Sequence, residues 1–233
     1  MNSSLVQKSA EIEVEAACVP MTLEGIVAAI EEDVIFGRLH PRERLVEDDL
    51  MERFDVKRYM VRDALATLDR MGLVERRKNV GALVRSFSAK EVQEVYHLRG
   101  LLETEAARLI PLPVRQEDLE ALISIQKEHD HAVASSDTRR LFRINLAFHR
   151  ALFELTGNAT LQQAISEYAR QTHPIRFISS MSPQYRETAR QEHWQIIDAL
   201  RSGDRDALIR LCEVHLHPAR DAYLESERSR AQA

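Results

Sequence analysis

Apolar residues at Leu23, Ile26, Val27, Ile30, Val34 and Ile35 recur at intervals of three and four, which predicts an amphipathic helix ending near Gly37. After a turn around Pro41, Leu50 and Met51 mark the inward side of a short helix over Glu47 to Arg53. Val61, Leu65 and Leu68 do the same for a third helix from about Lys57 to Met71, stopped by Gly72. Three short helices, the last two joined by a tight turn, frame a helix-turn-helix. The period then changes. Residues 73–77 and 82–85 are strand candidates flanking Lys78-Asn79-Val80-Gly81, a hairpin in which Gly81 supplies a positive φ. Beyond a linker near 85–89, where Ser86 or Ser88 can cap the next helix, helical periodicity covers 89–110, 115–134, 137–155, 159–179, 184–202 and 204–227. The expected fold is mainly α: a leader over 1–20, a winged helix-turn-helix over 21–86, and an all-helical antiparallel bundle of six to seven helices over 90–228.

Composition adds two exclusions. The 233-residue chain is 44% hydrophobic and 30% charged, so disorder is not a whole-chain option. Two distant cysteines, Cys18 and Cys212, do not make a disulfide framework. With no spanning apolar run and no basic-then-apolar leader, the expectation is a cytoplasmic protein without a membrane partner.

Charge sharpens the N-terminal reading. The formal net charge of −5 hides a local +5 between Lys57 and Arg85, with eight Lys or Arg against three Asp or Glu. Arg58 and Arg62 are four apart and share the helix face opposite Val61, Leu65 and Leu68. Two guanidinium groups so placed can hold guanine edges or phosphates in a major groove. Lys57 and Tyr59 stand at the helix N-terminus, where backbone amides attract phosphate, and Arg76, Arg77 and Lys78 charge the wing. Singly each is an ordinary surface cation; jointly they point to DNA, bound as a dimer.

The segment FRINLAFHRALFELTGN, residues 142–158, keeps Asn145 and His149 one helical turn apart on an otherwise apolar helix. His193, four before Ile197, and His215, four after Leu211, fall on inward registers of two further helices. Three imidazoles and an amide oxygen can close around a divalent metal. Spacing alone leaves open the alternative of separately satisfied core histidines. His97 and His173 are candidates to line the same cavity. Arg99, one turn before Glu103, is either half of an ordinary helix pair or a guanidinium that receives a carboxylate. Glu192 and Glu213, each beside an inward histidine, should point away from the cavity.

Taken in order, Leu45-Val46-Glu47-Asp48-Asp49-Leu50, the Arg58 to Leu65 segment, Gly72-Leu73-Val74, Gly81 with Val84, Leu98-Arg99 with Leu102-Glu103, Asn145 with Phe148-His149, Gly157-Asn158, Glu192-His193 with Ile196, Gly203-Asp204 and His215-Leu216 resemble GntR-type regulators of the FadR-like branch with an FCD-type effector domain. The resemblance spans about nine-tenths of the chain. It implies a homodimeric repressor on a palindromic operator, read by Arg58 and Arg62 with the wing near Gly81. It also implies a small organic acid effector at a metal held by Asn145, His149, His193 and His215. Zinc is the first expectation for that metal, with nickel or another transition metal as alternatives, and Arg99 matches a position that often faces the effector.

Three features depart from the family pattern: Lys57 and Tyr59-Met60 flank Arg58, Arg42 replaces a glycine after Pro41, and Asn145 stands where many relatives have Asp. The rival readings are a metal-dependent hydrolase or lyase using the three histidines, and a regulator binding an acyl ligand without metal. No nucleophile, base and orienting-group constellation supports an enzyme.

Overall fold

The computed structural model describes residues 21–78, 80–180 and 182–232, so the expected leader and the hairpin residue Asn79 lie outside the described residues. Helix α1, Leu23–Ile35, begins where the Gly25 amide donates to the Thr22 hydroxyl and ends before Gly37 at φ +68°. Helices α2, Glu47–Phe54, and α3, Arg58–Arg70, are joined by a turn in which Asp55 takes the left-handed conformation. Ile26, Ile30, Val61, Leu65 and Leu68 interlock beneath them. This is the frame that the apolar spacing predicts.

The wing is a hairpin of β2, Val74–Arg77, and β3, Gly81–Val84, in antiparallel register with Arg77 opposite Gly81. Gly81 has φ +101°, as the tight bend requires. A third strand, β1, Arg44–Leu45, pairs with the other edge of β3 and gives the order β1-β3-β2. The sequence pattern predicts only a plain turn before it. Arg42, directly after Pro41, adopts φ +70° and is held there: its amide donates to the Val84 carbonyl and its Nε to the Ser86 hydroxyl at 3.2 Å. A non-glycine residue in that region costs about 1 kcal/mol or more, which these bonds offset.

The second half is helical throughout. Its elements are α4, Ala89–Leu109; α5, Gln116–Ala134; α6, Thr138–Glu154; α7, Ala159–Gln171; α8, His173–Ser180; α9, Pro183–Ser202; α10, Arg205–Val214; and α11, His217–Gln232. Ser88 and Glu91 form a reciprocal capping box at the start of α4. The six expected helical stretches are present, and two of them are each broken once, at Thr172 and at His215-Leu216. Both breaks have the same cause. Pro174 and Pro218 are the second residues of α8 and α11, and a proline lacks the amide proton that the carbonyl four residues earlier needs.

Phe148 on α6 is fully buried among Leu122 of α5 and Ile196, Ile197 and Leu200 of α9, so α6 is the central helix, as its apolar circumference predicts. The two halves meet along α1. Arg143 of α6 is ion-paired with Glu32, Phe36 packs edge-on against Phe142 at 6.0 Å, and α8 lies against α1. No helix among the described residues is long and apolar enough to cross a membrane.

Candidate functional site

On the N-terminal half, α3 and the wing form two walls of one cleft. Arg58 and Arg62 enter it from α3; Arg76, Arg77, Lys78 and Gly81 line it from the hairpin. Lys57 takes the N-cap position of α3, which has no acidic residue in its first turn, and the Tyr59 ring is 63% exposed beside it. A phosphate therefore meets helix amides with no carboxylate from the first turn of α3 itself, the nearby Glu47 and Asp48 being engaged by Arg58 and Arg62.

Arg44 of β1 adds a cation to the same cleft. Sequence reasoning missed it, because a two-residue strand that exists only through pairing with β3 leaves no periodic signal. The arginines are not idle in the absence of DNA. Arg58 lies 3.4 Å from Glu47 and 2.5 Å from Asp48, and the Arg62 Nε is 3.0 Å from Glu47. These pairs are exposed, so solvent screens them and a nucleic-acid phosphate or base edge can displace them at small cost.

The second candidate site is built around α6. His149, half-buried, and His193 and His215, both buried, bring one ring nitrogen each within 4.8 Å of the others. Their neighbours fix how each ring is turned. Nδ1 of His193 lies 2.9 Å from the Gln126 side-chain oxygen, whose amide nitrogen is engaged with Asp130 at 2.9 Å. Nδ1 is thereby the protonated nitrogen, and Nε2 of His193 is left as a buried lone pair with no hydrogen-bond partner. The ring is clamped by Phe148, stacked at 4.0 Å.

His215 obeys the same rule. Its Nδ1 meets the Glu192 carboxylate at 2.5 Å, and its Nε2 faces Nε2 of His149 at 3.1 Å. Two imidazole nitrogens nose to nose, the His215 ring backed by the Glu192 carboxylate, are a poor hydrogen-bonding arrangement and a good cation cradle. Burial first, then the Arg176 guanidinium, holds His149 well below the ordinary imidazole range. Burial and then His215 do the same for His193. Neutral imidazoles are the form that ligates metal. The donor set therefore fits a divalent ion.

Glu192 reverses one expectation. Although it is adjacent to His193 on α9 and points away from that ring, the break before α11 leaves His215 at the end of α10, where Glu192 reaches it from the side. Asn145 is half-buried one turn before His149 on the same helix.

The remaining predicted residues separate. His173, on α8, lines a cavity of about 430 Å³ between α6, α7 and α8, together with His149 and Arg176. His97 does not line it: it is exposed on α4 and borders a groove against α11 that also contains His217. Arg99 is buried but already engaged, with Glu103 at 2.7 Å and the Thr172 hydroxyl at 2.9 Å. The bland reading of Arg99 as a helix pair is right in partner and incomplete in depth, since the pair is in the core. Arg176 escaped notice altogether, because the direction of its side chain depends on the Pro174 break.

Comparison with known proteins brings both sites under one heading. Residues 22–84 match the family described as bacterial regulatory proteins, gntR family, and residues 94–218, more than half the chain, match the FCD domain. The chain is a GntR-family transcriptional regulator with an FCD domain. Among similar proteins, the HTH-type transcriptional regulator YdhC of Bacillus subtilis is 26% identical over 76% of this chain and 80% of its own. The probable D-xylose utilization operon transcriptional repressor of Paenarthrobacter nicotinovorans is 29% identical over 74% and 75%. The solved structure of E. coli McbR/YncC shares the fold, with a TM-score of 0.74 over 88% of this chain and 98% of that one at 18% identity. This GntR regulator thus has a DNA-binding rather than an enzymatic role, and its helical half is the effector type found with such readers.

Proposed function

We propose that this GntR regulator is a homodimeric, effector-responsive repressor whose helical half holds a divalent metal and a small organic acid, and whose α3 and wing read a palindromic operator. The observation that carries the effector reading is the convergence of His149, His193 and His215 with one orphaned ring nitrogen and second partners that set the tautomers of His193 and His215. His149, His193 and His215, with Asn145 as a fourth donor, would hold zinc first, or nickel or another transition metal. When bound, the ion supplies a double positive charge that neutral imidazoles and an amide do not cancel.

The chain's own residues do the rest. Glu192 and Gln126 orient two of the rings, Phe148 excludes water from one side, and His173 and Arg176 face whatever enters the cavity. His173 stands 3.9 Å from Glu31 of α1, so the cavity wall is also part of the seat of the DNA-binding half. Differential contact with an acid in two seatings is what converts effector binding into a change in operator affinity. The repressor assignment leans on a relative described as an operon repressor.

The test is zinc stoichiometry by elemental analysis alongside operator affinity at fixed salt. The expected result is one zinc per chain, lost in His149→Ala, with zinc affinity about 10- to 100-fold weaker in Glu192→Gln. A wild-type chain that retains no metal after equilibration with zinc would sink the metal reading and leave the DNA-binding role standing.

A further inference from the structure

The cavity beside His149 has an uneven charge. Its wall carries three arginines, Arg150, Arg170 and Arg176, and no Asp or Glu. Arg150 is paired with Glu154 at 3.0 Å, and Arg170 is an exposed side chain at the rim. Arg176 differs from both. It is 5% exposed, and among the described residues its guanidinium makes no hydrogen bond and no ion pair.

The carboxylate whose charge reaches it, Glu103, is already held by Arg99. Arg99 itself adds repulsion, and together with burial it pushes the Arg176 guanidinium below its usual range, although not to neutrality in any ordinary buffer. The Tyr96 hydroxyl nearby is also buried without a partner. A buried, permanently charged fork with no counter-ion among the described residues is a site open to completion by a bound anion.

We infer that Arg176 is a dedicated carboxylate-binding residue and that the effector is a small dicarboxylate, one carboxylate held by the Arg176 fork and the other directed to the His149 side of the same cavity. The inference rests on the proposed metal reading for the second carboxylate only. The charge count selects two carboxylates over one: a divalent ion and an unpaired guanidinium, less the Glu192 carboxylate against His215, leave a double positive excess that a monoanion does not balance. The fork selects a planar, bidentate group, which a carboxylate is and a hydroxyl is not. At about 430 Å³ the cavity lies in the range of small-ligand sites and exceeds a four-carbon diacid, so ordered water fits beside it.

The experiment uses the full-length, zinc-loaded chain, with succinate and butyrate as probes of equal carbon number, read by calorimetry and thermal shift at fixed salt. The expected result is succinate binding at least about tenfold tighter than butyrate, with that preference lost in Arg176→Gln while zinc content stays the same. Arg176→Lys, which keeps the buried charge and guards against a misfolded Gln variant, should retain binding but lose most of the preference. Equal affinity for the two acids, no succinate binding by the zinc-loaded wild type, or an undiminished preference in folded Arg176→Gln or Arg176→Lys each overturns the inference. A chain that takes up no zinc yet prefers succinate through Arg176 would uphold the carboxylate residue and fail the metal reading alone.

Discussion

Nδ1 of His173 lies 3.9 Å from Oε1 of Glu31, so a residue that lines the cavity meets a carboxylate of α1 across the junction of the two halves. Burial raises the Glu31 carboxyl above its usual range, and the Arg170 guanidinium, also at the cavity, pulls it back. Glu31 therefore looks onto two cavity residues at once. Replacing it with Gln should leave operator affinity without effector within about threefold of wild type. The same change should cut the effector-dependent shift, ordinarily about 1–3 kcal/mol, by half or more. Fluorescence anisotropy with and without succinate on zinc-loaded protein checks this; an unchanged shift would remove the His173–Glu31 contact from the coupling path.

The second prediction concerns the cleft between α3 and the wing. Arg58→Ala with Arg62→Ala should abolish recognition of a duplex selected by the wild type from a random pool, each residue contributing about 1–3 kcal/mol where it meets a base edge. Arg44→Ala should instead weaken all duplexes alike and reduce the slope of log affinity against log salt by about one. Circular dichroism should be unaltered, because these side chains are exposed and buried contacts are untouched. Sequence-selective binding by the folded double variant would refute the assignment of α3 as the reading helix.

The third is a pH dependence of the zinc-free protein. Burial is the leading cause that depresses His149, His173 and His193 well below the ordinary range, and it pushes His129 down to about 4. For a base with a lowered folded pKa, the unfolded chain takes up protons first as pH falls through about 6.5, so acid favours unfolding. Stability should hold above about pH 7 and decline below it, each such histidine contributing up to ~1.4 kcal/mol per pH unit. Urea midpoints after chelation, measured from pH 7.5 to 5, give the profile. A flat one would mean that the imidazoles are solvated or already charged.

The helix-turn-helix was legible because Val61, Leu65 and Leu68 repeat at helical spacing and Gly72 ends the run. The wing was legible because Gly81 sits where a hairpin needs positive φ. His149, His193 and His215 could be set on inward registers but not shown to meet, since convergence of three helices is a tertiary fact that no local period encodes.

The breaks at Pro174 and Pro218 were visible as residues and passed over as structure, because the flanking apolar spacing continues through them. That oversight hid Arg176, whose direction is set by α8 starting afresh. It also hid Glu192, whose partner His215 arrives from the end of α10. Arg44 was beyond reach, since β1 has no existence apart from β3.

The connection between the halves is short, and Phe87 within it is buried with Val92, Tyr96, Ile175 and Tyr223, its carbonyl accepting a hydrogen bond from the Tyr223 hydroxyl at 3.1 Å. The joint is therefore a mortise and not a rope. A flexible tether would let each reading head search for its half-site on its own, with linker length setting the reach. Here the reading head is mounted on the effector half, so in the proposed dimer a partner half-site would be found by aim, and spacer DNA of the wrong length would be rejected by geometry before any base is read.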